Sequence, residues 1–203
     1  MNKVYDIFAT GKDKGTLEHS RAGSGGGGPV EAVYWVRGVM TQWRIRGKCW
    51  VIAADDVEGG TDEAQASGVV SMKAELGRYM RKVGANSGNE EWRWTREVEN
   101  YYENMSPIMR GSFKNPPPGQ SLNDGNVGPG ERLGQKGGSL KNEPLARKNF
   151  RVAVITPEEV EQVDLSDPGN SKRWIWSLAE AGRPEGDDDS KQVGEWSVVE
   201  TWP

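Results

Sequence analysis

Residues 31–52 read EAVYWVRGVMTQWRIRGKCWVI, and this stretch decides the fold. Two runs rich in Val, Ile, Tyr and Trp flank a break at Arg37 and Gly38, the composition of two paired β-strands. Side chains of a strand alternate between its faces. The second run therefore places Gln42, Arg44, Arg46 and Lys48 on one side and Trp43, Ile45, Cys49 and Val51 on the other. The segment has a polar side and a packed side.

Working outward, residues 23–29 are almost all glycine and read as a flexible connector without a packing role. Before them, Val4, Ile7 and Phe8 have helix-like spacing, which predicts a short amphipathic helix over residues 3–10. After the strand pair, a helix is predicted within residues 62–82, with Met72, Leu76, Tyr79 and Met80 near one face. A second covers residues 89–105, where Trp94, Val98, Tyr101, Tyr102 and Met105 form an apolar stripe that Pro107 ends. Residues 115–148 are rich in Gly and Pro and read as one long mobile loop. Order is expected to return with a strand from Asn149 closed by Pro157, a short helical turn over residues 157–160, and a further strand over residues 163–165. A turn at residues 167–170 and strands over residues 172–178 and 195–202 complete the chain, with Asp187, Asp188 and Asp189 in a solvated loop between the last two.

The totals narrow the function classes. With 203 residues, a single domain spanning residues 1–203 is the first reading. Nine tryptophans argue against a mostly disordered chain, despite 27 glycines and 11 prolines. A net charge of −4 offers no general attraction to nucleic acid or to an anionic membrane. No apolar run reaches the length of a membrane helix and no signal-peptide pattern opens the sequence, so a cytoplasmic setting is the default expectation. Cys49 is the only cysteine and His19 the only histidine. An internal disulfide, a cysteine metal cluster and a paired-histidine zinc site are thereby excluded, and no metal is expected. Trp43, Trp50, Trp174 and Trp176 interleave with basic residues, but without a continuous basic stripe they read as core and dimer packing rather than base-stacking.

Several motifs occur in the order found in one known family. TQWRIRG at residues 41–47 is similar to a strand in which a glutamine begins a six-residue run ending in glycine. SPIMRGSFKNPPPG at residues 106–119 looks like the loop that follows that family's long helix. NFRVAVITPEEVEQVDLSD at residues 149–167 resembles its late strand–turn–strand, and Lys172, Arg173 and Trp174 with the ending Trp196 to Trp202-Pro203 resemble its closing strands. In these motifs the chain resembles the FMN-binding pyridoxamine 5'-phosphate oxidase-like proteins, in their larger, divergent branch. The resemblance implies an α+β fold built on a split β-barrel, with FMN as cofactor and a homodimer that forms the flavin sites between its subunits.

Carried over position by position, Lys3 matches a lysine that binds the FMN phosphate and Gln42 matches the glutamine that contacts the flavin. Ser112 lies on the loop that brings donors toward the flavin, and Arg173 aligns with a basic residue at a late flavin contact. Tyr102 matches a tyrosine that meets the substrate phosphate, and Arg110 stands beside it as a candidate for an anionic ligand. Ordinary structural readings compete with each: a polar residue on a solvated strand face for Gln42, a turn serine for Ser112, and surface basic residues for Lys3, Arg110 and Arg173. The sequence also departs from the family. Asn2 replaces a basic residue, Ser106 stands where the oxidases have an arginine, and the late arginine–histidine motif is absent near Lys172 and Arg173. The strands that precede the first helix in relatives are not found ahead of Met1, so an N-terminally incomplete barrel with weakened FMN affinity is expected. Vitamin B6 oxidation is therefore not transferred. An FMN-dependent oxidoreductase of unknown substrate, a non-catalytic flavin-binding or scaffold protein, and an inactive truncated paralogue remain open, with no catalytic residue singled out.

Overall fold

The computed structural model describes residue 7 and residues 23–55, 57–58, 68–80, 92–114, 143–179 and 196–203. Five strands form one antiparallel sheet in sequence order: β1 Gly25–Val36, β2 Thr41–Ile52, β3 Val152–Asp164, β4 Lys172–Leu178 and β5 Trp196–Thr201. Among the described residues, the helices with full ranges are α1 Val69–Tyr79, α2 Trp94–Glu103, α3 Pro107–Ser112 and α4 Glu143–Asn149. The α+β class expected from the sequence is observed. Closure into a barrel is not seen among the described residues, where β1 and β5 stand at opposite ends of the strand order.

The break at Arg37 and Gly38 is a single 3-10 turn over Arg37–Val39, after which Met40 takes a left-handed conformation. It reverses the chain so that Val36 pairs with Thr41 and Trp35 with Gln42. Thr41 Oγ1 donates to the carbonyl of Val39 at 2.9 Å and ties the reversal down.

The glycine run is not a free connector. Gly25, Gly26, Gly28 and Pro29 pair with Val51, Trp50, Cys49 and Lys48, and Gly27 bulges out of the ladder. Gly26 and Gly27 have φ of 113° and 84°, values that L side chains rarely adopt. The Trp50 ring lies over this backbone, 2.7 Å from where a Cβ on Gly27 would stand. Glycine is thus the packing surface for Trp50. At the same end the buried Ser24 hydroxyl accepts from the backbone N–H of Ala53 at 2.8 Å, fastening the entry of β1 to the exit of β2.

Pro157 does not close a strand either. β3 runs through it, with Arg46 opposite Glu159 and Gly47 opposite Pro157, so Glu158 is an extra residue in a bulge. Proline is tolerated there because its missing N–H falls where the ladder is already interrupted, and β4 pairs only with the part of β3 from Glu159 onward. Gly47 is required opposite, since a Cβ would collide with the carbonyl oxygen of Thr156.

The main core lies at the Trp50 end of the sheet. Trp50 and Ile52 of β2 meet Val69, Met72 and Leu76 of α1, Val98 and Tyr102 of α2, Ala146 of α4, and Phe150. The apolar faces of both predicted helices are confirmed at these positions, whereas Tyr79, Met80 and Tyr101 are exposed. Two further expectations are corrected. Residues 107–112, read as loop, form α3, because Ser106 caps it by accepting from the N–H of Met109 and Pro107 occupies a first-turn position. Residues 143–148, read as part of the mobile loop, belong to α4, which buries Ala146 against Phe150 and Tyr102. The rest of that loop and the N-terminal helix lie outside the described residues, except for helical Ile7. No helix among the described residues is long and apolar enough to cross a membrane.

The two classes of glycine should separate in unfolding experiments. Gly27→Ala is expected to lower stability by about 2 kcal/mol or more, through its left-handed φ and its contact with Trp50. Gly77→Ala, with open space around the added methyl inside α1, is expected to raise stability by about 1 kcal/mol. Urea midpoints at constant slope measure both.

Candidate functional site

The antiparallel register brings side chains of one face into rows across the sheet. One row runs Trp35, Gln42, Val163, Arg173 and Thr201. The next runs Val33, Arg44, Glu161, Ile175 and Val199, and a third begins with Glu31, Arg46 and Glu159. Gln42 and Arg173, the two flavin-contact candidates on strands, therefore share a row with only Val163 between them.

The centre of this face is a buried carboxylate. The Glu161 side chain is 4% exposed and is met from both sides. Arg173 donates through Nη2 to Oε2 at 2.9 Å, and Arg44 Nε lies 3.8 Å from Oε1. Arg44 Nε also donates to Gln42 Oε1 at 3.2 Å. Gln42, Arg44, Glu161 and Arg173 thus form one polar chain across three strands. It carries two positive charges and one negative, an electropositive excess of one. Because the Gln42 oxygen is already engaged by Arg44, its NH2 group is the end left to meet a ligand. Nε of Arg173 is buried and has no acceptor among the described residues. The site offers directed N–H donors, suited to an acceptor-rich planar edge or to an anion.

Below it, Arg46 bridges Glu31 and Glu159, donating through Nε to Glu31 at 2.6 Å. That hydrogen bond holds the Glu31 carboxyl below its usual range, and the two carboxylates together raise the Arg46 guanidinium. Lys48 pairs with the bulged Glu158 at 3.0 Å, which raises its ammonium. These exposed pairs enforce register rather than add much stability.

The other sequence candidates stand apart from this row. Tyr102 is 2% exposed and packs edge-to-face on Phe150 at 5.4 Å. The guanidinium carbons of Arg110 and Arg147 lie 5.8 and 4.7 Å from its ring centroid. Tyr102 is a core aromatic and Arg110 is its cation–π neighbour. Ser112 donates its hydroxyl to the Met109 carbonyl at 2.7 Å, within its own helix. Lys3 lies outside the described residues. A cavity of about 160 Å³ opens between α1, α2 and the sheet, lined mainly by Ile52, Leu76, Trp94, Val98 and Val154 with Glu97 at its polar side. None of the described site candidates, Gln42, Tyr102, Arg110, Ser112 and Arg173, lines it.

Two members of the site escaped sequence reasoning. Alternation puts Arg44 on the polar side without pointing to a role for it, and Glu161 falls between the expected turn and the expected strand. The alternation of Glu159, Glu161 and Val163 against Arg46, Arg44 and Gln42 was the available signal, hidden by reading Pro157 as a terminator.

Fold and site together define an antiparallel α+β scaffold with a polar, arginine-bearing sheet face. Its structure is similar to a pyridoxamine 5'-phosphate oxidase-related, FMN-binding protein from Nostoc punctiforme, with 16% identity and a TM-score of 0.46 over 86% of this chain. The match covers 63% of that protein's length. No protein-family model matches the sequence, and no curated protein matches it.

Two outcomes follow from burial. Glu161→Ala, which leaves Arg173 and Arg44 without their shared carboxylate, is expected to cost about 2 kcal/mol of stability, and Glu31→Ala distinctly less. The Cys49 thiol is buried and its pKa is pushed up by that burial. It should be silent to a thiol reagent at pH 8 in the folded protein and titrate as one thiol per chain in denaturant.

Proposed function

We propose that the protein binds FMN, with the flavin's pyrimidine edge against Gln42 and Arg173, and that it serves as a flavoprotein oxidoreductase of the pyridoxamine 5'-phosphate oxidase-like kind. The observation that carries this reading is the shared row. Gln42 and Arg173, assigned flavin contacts on separate sequence motifs far apart in the chain, come together on one sheet face and join one hydrogen-bonded chain. The donor set fits the group. The pyrimidine edge of a flavin presents two carbonyl oxygens and N1 as acceptors beside the N3–H donor. The Gln42 NH2 and the Arg173 Nε–H, which has no acceptor among the described residues, are donors of the matching kind.

When bound, the isoalloxazine supplies the hydride and electron chemistry. The protein's part is to orient its edge through Gln42, to place positive charge beside it through Arg173 and Arg44, and to hold those groups rigid through Glu161. Lys3 is the proposed phosphate partner. The Ser112 hydroxyl can donate to the flavin only by exchanging its present bond to Met109. Tyr102 and Arg110 are proposed to shape the helical wall rather than to meet substrate directly, because Tyr102 is enclosed in the core.

A homodimer, cytoplasmic and without a nucleic-acid or membrane partner, completes the reading. Support for self-association comes from the second face of the sheet, where Tyr34, Val36, Trp196 and Val198 are 54%, 44%, 42% and 55% exposed. Trp43 stacks on Trp176 with centroids 6.0 Å apart on this same face. Exposed apolar residues at both edges of this face, with the tryptophan pair between them, make it a candidate interface.

An FMN titration monitored by flavin fluorescence tests the cofactor. Saturable binding is expected, with Gln42→Ala and Arg173→Ala each weakening it roughly 10-fold, the loss of one hydrogen bond to a partly buried acceptor. A folded protein that leaves the fluorescence unchanged would sink the flavoprotein reading. Bound FMN that neither NAD(P)H nor amine substrates reduce would favour the non-catalytic binding protein. Sedimentation of the same sample reports the dimer.

A further inference from the structure

The buried carboxylate at the centre of the site has no donor to offer FMN, and a negative charge beside a negatively charged cofactor is unfavourable. Its burial is costly in itself, because an ionised carboxylate leaves water only when paired and hydrogen-bonded. An apolar residue at position 161 would continue the neighbouring Val160 and Val163 and avoid that cost. What Glu161 provides is control over both arginines. It receives Arg173 through Nη2, which fixes the guanidinium plane and with it the direction of the orphaned Nε–H. It draws Arg44 to 3.8 Å, and Arg44 in turn fixes the Gln42 amide with its oxygen inward. It also reduces the local charge from +2 to +1, the sum of Arg44, Arg173 and Glu161.

We infer that Glu161 is a positioning residue that orients Arg173 and the Gln42 amide and moderates the positive charge they present to the flavin. This rests on the FMN reading of the site. Reduction of a flavin adds negative charge at the pyrimidine edge, where these donors would point. Two unopposed arginines would hold the reduced form much more tightly than the oxidised form. Glu161 offsets part of that preference, keeping the bound flavin more reducing and therefore able to pass its electrons on. The same side chain thus sets both the geometry and the electronic poise of the site.

The test compares wild type with Glu161→Gln, measuring FMN affinity in the oxidised state and the midpoint potential against a reference dye. The amide still accepts from Arg173 but removes the charge. Affinity for the reduced flavin is expected to rise relative to the oxidised flavin by about 10-fold, equivalent to about 30 mV in the positive direction. A purely structural role would weaken both redox states alike and leave the potential unchanged, and that result overturns the inference while leaving FMN binding intact. A wild type that binds no FMN overturns the flavin reading and this one with it. Should Glu161→Gln fail to fold, Glu161→Asp keeps the charge and Arg173→Gln removes a cation. The first is expected to hold the potential near wild type and the second to move it negative by about 10-fold in the same ratio. Equal potentials in all three proteins overturn the inference.

Discussion

The pairing of β2 with β3 is the constraint on which the rest depends. These strands lie at the middle of the strand order, and their register places Gln42, Arg44 and Glu161, with Arg173 added by β4 on the far side of β3. It is held by an unusual joint: Gly47 opposite Pro157, with Glu158 as the surplus residue. The backbones approach so closely there that no side chain fits on Gly47. Without the bulge, β3 would meet β2 one residue out of step on one side of the joint. A one-residue slip turns side chains to the other face. Either Val152 and Val154 would leave the core under the helices or Glu161 would leave the two arginines. The bulge lets one continuous strand serve an apolar end and a charged end on the same face.

The strand content was legible where composition and alternation agreed. Residues 172–178 coincide with β4, and the pair broken at Arg37 and Gly38 became β1 and β2. The turn at Asp167 is present, with Gly169 N–H and Asn170 N–H both bonded to Asp167. The failures have one physical character. Gly25 to Pro29 and Pro157 were read from intrinsic preference, as breakers, whereas tertiary contacts recruited them into strands. Glycine is required at 27 by the ring of Trp50 and at 26 by the carbonyl of Cys49 and the side chain of Ile7, residues far away in the sequence. Ser106 and Pro107 carry the opposite signal, a cap and a first-turn proline, where the resemblance points to a loop.

The candidate site was half legible for the same reason. Gln42 and Arg173 could be singled out by motif, but what joins them could not. The link runs through Arg44 and Glu161, and Glu161 becomes meaningful only once β3 is known to pass unbroken from Val152 to Asp164. Tyr102 and Arg110 show the converse. Their residue types suit an anionic substrate, yet packing against Phe150 and Arg147 gives the tyrosine a full structural occupation. Residue type proposes chemistry, and burial decides whether the group is at liberty to perform it.

The contrast between the two ends of this sheet face explains why a site can exist here at all. At the Trp50 end, α1, α2 and α4 remove the face from water, and its residues are apolar. At the Gln42 end, Gln42, Arg44 and Arg173 are half-buried among partly exposed apolar neighbours such as Trp35 and Val199, and Glu161 is enclosed. A surface ion pair in that position would contribute little and reorient freely. Enclosing the carboxylate while leaving the arginines partly open converts the same charges into a rigid array, since Glu161 has no alternative partner in water. The rigidity is obtained at the expense of some stability, an exchange common where a binding group must hold its direction before its ligand arrives. The helical end, with its larger apolar core, supplies the stability that such an arrangement draws upon.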